Sequence, residues 1–151
     1  MKNYNEGFAR IAVFTALILS GCALYGKNNA PYIIKGEMIL EAENVEEEQN
    51  FEIGGLQVYF FNKENKPVTE FTIVFSLFDQ DGEPLSMGRS TIVASVKKII
   101  EPFTSFNCCL SLDQNLCEVP DEPYVVDYLY VSRIVYEDGS QWNDAFGVNI
   151  M

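Results

Sequence analysis

The chain has 151 residues, 22 of them acidic and 10 basic, for a formal net charge of −12, and it contains no histidine. Acidity of this degree repels phosphate backbones and anionic headgroups, which argues against nucleic acid as a partner and against electrostatic attachment to a membrane. The lack of histidine removes the commonest general base, metal ligand and pH sensor.

The N-terminal region carries Lys2 and Arg10 ahead of the run IAVFTALIL, residues 11–19. As a helix that run would be about 14 Å long, roughly half of the ~30 Å hydrocarbon layer of a bilayer. A basic start, a short apolar centre and small residues at the end describe an export signal rather than a transmembrane anchor. Leu19-Ser20-Gly21-Cys22 fits the lipoprotein form of that signal. Residues 1–21 are expected to be removed, and the thiol of Cys22 to carry the lipid. Two or more acyl chains hold a protein stably where one does not. The expected location is therefore the bacterial cell envelope, with the membrane reached through an N-terminal lipid. Ala23 follows Cys22, so the aspartate that retains some lipoproteins at the inner membrane is absent, and the outer membrane is favoured. Loss of Lys2, Arg10 and Glu6 leaves 8 basic and 21 acidic residues, a net of −13.

Residues 22–31 are small and polar without periodicity and read as a lipid-anchored tether with a reach of about 30 Å. The remainder, 32–151, is the size of one domain. With 11 Phe, 8 Tyr and several Val and Ile runs it favours strands. Tyr32–Leu40 is a first strand, followed by the acidic connection 41–50. Glu46, Glu47 and Glu48 there read as a solvated loop rather than a cation site. Leu56–Asn62 is a second strand, ended by turn formers through Pro67. The clearest strand follows, with Phe71, Ile73, Phe75 and Leu77 on one face and Thr72 and Ser76 on the other.

Asp79-Gln80-Asp81-Gly82 then marks a hairpin, since Asp-Gly tolerates positive φ. It is not a calcium loop: Gly82 comes three residues after Asp79 rather than five, and Ser90 stands where the twelfth-position glutamate belongs. Leu85–Lys98 returns with Ile92, Ala94 and Val96 on one face. Lys97 and Lys98 read as a device that protects a sheet edge. Phe103–Leu112 is a further strand, and 113–123 is a polar loop. Val125–Tyr136 is a long strand whose alternation breaks, because Asp127 and Arg133 share a nominal face with Leu129, Val131 and Val135. A bulge near Ser132 would repair the phase. Glu137–Ser140 turns the chain into a last strand with Trp142, the one tryptophan, expected at the core or its rim.

Cys108, Cys109 and Cys117 remain after Cys22 is modified. Phe106, Cys108, Leu110 and Leu112 share a face, which makes Cys108 and Cys117 the candidate disulfide in an oxidising compartment, worth roughly 2–3 kcal/mol by chain entropy. Three reduced, partly buried thiols are the alternative. The cluster supplies too few ligands for zinc, and no metal or other cofactor is expected. Strands of this number and spacing, with Asp-Gly turns and no amphipathic helix, predict an all-β immunoglobulin-like sandwich.

Phe75-Ser76-Leu77-Phe78-Asp79 with Asp81-Gly82 resembles the signature of FxLYD-type bacterial domains, with Phe78 in place of the tyrosine. Ile134–Trp142 is similar to the endings of related immunoglobulin-like domains of envelope proteins. The resemblance implies a small sandwich attached to lipoproteins and exported proteins, and no catalytic residues. Gly82, Gly139, Phe75, Tyr136 and Trp142 would be turn and packing positions. The expected function is that of a non-enzymatic, lipid-anchored envelope protein that binds a protein partner or supports an envelope assembly. One alternative is an envelope enzyme using carboxylates such as Asp138 with Asp144, or Cys109. The other is a weak cation or small-ligand binder using Glu46–Glu48 with Asp79 and Asp81.

Overall fold

Residues that alternate in the sequence do so in space. The computed structural model describes residues 30–40, 51–85 and 91–150. The leader, Cys22, most of the tether and the run Glu46–Glu48 lie outside the described residues. Seven strands occur among those described: β1 (Tyr32–Ile39), β2 (Gly55–Asn62), β3 (Val68–Phe78), β4 (Thr91–Ile100), β5 (Ser105–Ser111), β6 (Val125–Tyr136) and β7 (Gln141–Asn143). A single 3-10 turn, Val148–Ile150, follows them.

The strands form two antiparallel sheets, β1-β2-β5 and β4-β3-β6-β7. The chain passes from one sheet to the other after β2, after β4 and after β5, which is the pattern of an immunoglobulin-like sandwich. Leu56, Val58 and Phe60 of β2 face Phe71, Ile73, Phe75 and Leu77 of β3, all essentially without solvent contact. The rings of Phe60 and Phe71 stack between the sheets at 4.3 Å. Burying each such side chain contributes about 1.5–3 kcal/mol. Among the described residues no helix is long and apolar enough to cross a membrane.

The broken alternation of β6 has the expected origin. Thr72 pairs with Arg133 and Ile73 with Val131, so Ser132 is an extra residue, and Val131 and Ile134 both reach the core. A second irregularity was not read in the sequence. Val74 pairs with Tyr130 and Ser76 with Asp127, leaving Tyr128 and Leu129 together opposite Phe75. Tyr128 takes φ +52 to make the step, and Leu129 turns inward against the core.

The turns follow their residues. Asp79 accepts the N–H groups of Asp81 and Glu83 through Oδ1, and Gly82 sits at φ +82. Lys97 and Lys98 lie exposed on β4, which is the edge strand of its sheet. Boundaries move around this connection: β4 runs on to Ile100 rather than ending at Lys98, and β5 spans Ser105–Ser111 rather than beginning at Phe103. Pro102 and Phe103 instead form a turn closed by Thr104 N–H to Glu101 O, with Phe103 at φ +56, which no strand allows.

Strand direction gives the sandwich two ends. Ala30 and the turns 62–67, 101–104 and 137–140 lie at one, and the turns 79–84 and the loop 112–124 at the other.

Candidate functional site

Cys108 pairs with Val58 and shares its inward face, half-buried at the edge of the core. Cys117 is exposed in the connection from β5 to β6. Cys109 points the other way, opposite Gln57, and burial pushes its thiol pKa up, the opposite of what a nucleophilic cysteine needs. Its Sγ packs so closely on Gly55 that a Cβ there would lie 2.6 Å away.

The carboxylates named from the sequence are not brought together. Asp138 lies in the turn before β7, bonded to Lys66 Nζ at 2.6 Å and to the hydroxyl of Ser140, and these hydrogen bonds hold it far below the usual carboxylate range. Asp144 follows β7 at its other end. Burial alone would raise its pKa, but the N–H groups of Asn149, Val148 and Phe146 and the Asn149 amide outweigh that and hold it lowered. Asp113 is occupied likewise. It accepts the N–H groups of Ile53, Glu52 and Gly54, and the first of these is the largest cause of its lowered pKa. None of these three carboxylates is poised for proton transfer at neutral pH. Among the described residues no group of three or more Cys, Asp or Glu side chains is arranged to hold a metal ion.

The outer faces of the two sheets differ in chemistry. On the three-stranded sheet, Lys35, Tyr59 and Asn107 form one row and Glu37, Gln57 and Cys109 the next, and all of these but Cys109 line a shallow open hollow. On the four-stranded sheet, Val93, Val74 and Tyr130 line up across β4, β3 and β6. Four residues further along β3, Phe78 pairs with Val125, and the ring of Tyr128 comes to 6.3 Å from that of Phe78. Between these rows lie Thr91, Ser76 and Asp127, and on the Ala30 side lie Ser95, Thr72 and Arg133.

The segment after β7 extends this apolar surface. Asp144 N–H bonds to Ser132 O, Gly147 packs under the ring of Tyr130, and Tyr130 donates its hydroxyl to Ala145 O. Gly147 needs to be glycine twice over: its φ is +66, and a Cβ would stand 3.0 Å from the Tyr130 ring. The Asp144 carboxylate ties the segment down and so presents Phe146 and Val148 beside Tyr130. Val93, Val125, Tyr128, Phe146 and Val148 are all exposed, Phe146 to 87%. Clustered apolar exposure of this kind, with a polar border, marks a protein-contact surface better than single exposed residues do. Sequence reading did not assemble this face. Its one visible signal was the run of aromatic residues in β6.

No protein-family model matches the chain, and no curated protein matches it. Among solved structures, the fold is similar to that of a hypothetical protein from Peptoclostridium difficile 630, determined by X-ray crystallography at 1.85 Å. The TM-score is 0.57 at 11% identity, over 78% of this chain and 88% of the other. At that identity the likeness concerns the fold.

Proposed function

We propose that this chain is a lipid-anchored bacterial envelope protein, held through Cys22, whose sandwich binds a protein partner through the outer face of its four-stranded sheet. The observation that carries the binding half is the apolar surface on which Val93, Tyr128, Phe146 and Val148 are exposed and Val74, Phe78 and Tyr130 are half-buried between them. Tyr128 is held there in a left-handed backbone conformation that a bulky residue adopts at a cost, and such strain gathers at functional positions. The anchoring half rests on Leu19-Ser20-Gly21-Cys22 and the short apolar run before it. The likeness of Phe75–Gly82 to the FxLYD signature agrees with a non-enzymatic envelope module. Outer-membrane residence is the part of the reading that rests on Ala23. A Cys108–Cys117 bridge belongs to the same reading, because an exported chain meets an oxidising compartment.

The test uses a photo-crosslinking residue placed at Val93 or, as the contrasting position, at Lys35 on the other sheet. Irradiation of intact cells is expected to give a discrete adduct from Val93 and none from Lys35. Equal labelling from both positions, or none from Val93, would refute the binding face. The intact mass of the same material reports acylation at Cys22, and its change on reduction reports the disulfide.

A further inference from the structure

The end of the sandwich at which Ala30 emerges carries a second exposed feature, separate from the face just described. Glu101-Pro102-Phe103-Thr104 is a tight turn with proline second and Phe103 third at φ +56, a position that turn chemistry gives to glycine or asparagine. The Phe103 side chain is 61% exposed, and so is that of Ile99, four residues before it. An apolar ring placed at a turn tip in an unfavourable backbone conformation satisfies no packing need of the domain itself.

The surrounding structure holds the turn firmly. Asn62 is buried, and its Nδ2 donates to Lys66 O, Glu101 O and Ile100 O, while its backbone N–H donates to Thr104 O at 3.0 Å. The next residue, Lys63, donates its N–H to Pro31 O at 2.9 Å and its Nζ to Ala30 O at 2.8 Å. Neighbouring residues of β2 thus bind both the Phe103 turn and the point where the domain meets the segment leading back to Cys22. With β1 and β5 on either side of β2, the two features stand about 10 Å apart, two strand spacings. Eight chain steps from Cys22 to Ala30 extend to at most about 28 Å.

Charge divides along the same axis. Lys63, Lys66, Lys97 and Lys98 lie toward the Ala30 end, where they offset Glu64, Glu70, Glu101, Glu137 and Asp138. At the other end Asp79, Asp81, Glu83, Asp113, Glu118, Asp121 and Glu122 have no basic residue among the described ones beside them. An anionic bilayer repels the second end far more than the first.

From these observations we infer that the Phe103 turn, with Ile99, is a membrane-contact tip that seats the Ala30 end of the domain on the bilayer surface. This rests on the reading of Cys22 as lipid-bearing. The occupant is lipid because the anchor's reach ends here, the local charge nearly cancels, and a tip of two apolar side chains fits an acyl–headgroup boundary. The anchor supplies attachment and the tip supplies orientation, which leaves the outer face of the four-stranded sheet upright and accessible.

The test is amide hydrogen exchange on the full acylated protein in vesicles of phosphatidylethanolamine and phosphatidylglycerol at 3:1, against the Cys22→Ser chain mixed with the same vesicles. Exchange in peptides spanning 97–106 is expected to slow at least tenfold in the acylated protein, with 79–83 unchanged. Phe103→Gly suits the turn better than the native residue and so keeps the fold. It is expected to stay on the vesicles and lose the slowing. Acylated, vesicle-bound protein with no slowing at 97–106 would overturn the tip and leave the anchor standing. Slowing seen in native envelope membranes but not in protein-free vesicles would overturn lipid as the occupant. An intact mass without the acyl group would overturn the anchor reading itself.

Discussion

The hydroxyl oxygen of Tyr32 accepts the backbone N–H of Val131 at 3.0 Å, joining the first strand of one sheet to the bulged strand of the other. Both residues are buried. Val131 stands immediately before the extra residue Ser132, where the ladder between β3 and β6 is interrupted, so this phenol supplies a partner at an irregular place. Tyr32 also packs edge-on to Trp142 at 5.5 Å and parallel to Phe60 at 6.1 Å.

Tyr32→Phe keeps the ring contacts and removes only the acceptor. A buried N–H left without a partner costs about 1–3 kcal/mol. The expected result is a lower urea midpoint with an unchanged slope, read from the fluorescence of Trp142, which senses the same ring. An unchanged midpoint would show that the Val131 N–H finds another acceptor.

What could be read in the sequence and what could not divide along a physical line. Alternation in β3 was legible because each apolar residue there meets the core directly, and Ser132 was legible as a bulge because strict alternation would put Asp127 and Arg133 on one face with Leu129, Val131 and Val135. The step at Tyr128 left no such trace. It too adds one residue, so that Val126 and Leu129, three positions apart, both pack against the core, but a second inversion so close to the first leaves no regular alternation in the sequence from which to read it. Asn62 and Asp144 look like surface residues in a list of amino acids, yet both are buried, and Asn62 bonds to carbonyls 38 and 39 positions away. The candidate face was illegible for the same reason. Val93, Val74 and Tyr130 become neighbours through strand order, which no local pattern encodes.

Asp144 fixes the segment after β7 through four hydrogen bonds from Phe146, Val148 and Asn149. Asp144→Asn replaces an acceptor oxygen with a donor facing other donors, and by analogy with loss of a helix cap costs about 1–2 kcal/mol. Thermal unfolding is expected to fall accordingly, with the amides of Val148 and Asn149 exchanging faster than in the parent. Because the folded pKa of Asp144 is lowered, its stabilisation is complete above the unfolded value of about 4 and declines as pH falls further. Asp113 and Asp138 share that sign. Melting temperature should therefore drop on acidification below about pH 4, and less steeply in Asp144→Asn.

The alkaline side is set by phenols. Burial, with smaller contributions from Glu64 and Asp138, pushes Tyr136 up to about 12, and burial likewise raises Tyr32. A group whose folded pKa is raised contributes fully below its unfolded value, about 10 for tyrosine, and loses that contribution as pH rises through the folded one. The melting temperature is expected to decline from about pH 10 upward. Tyr136→Phe should flatten that decline while leaving the acid side unchanged, and the comparison of the two profiles checks the assignment.

Tyr128 offers the sharpest separation of stability from binding. Its ring is 65% exposed and touches Phe78 at the rim, while its backbone occupies a region that costs an L-residue about 1–2 kcal/mol. The Asp127 carboxylate accepts the Tyr128 N–H at 2.7 Å and helps hold that conformation whatever the side chain. Tyr128→Gly therefore removes the strain and little packing, so the variant is expected to melt at or slightly above the parent temperature. If the outer face binds a protein, the same substitution removes an aromatic anchor from the exposed surface, and the crosslinked adduct from Val93 should fall severalfold. A variant that melts lower would place Tyr128 in the folding core. One that melts no lower and crosslinks as before would remove Tyr128 from the binding face, and the strained backbone would then be explained only by the need to return Leu129 to the core.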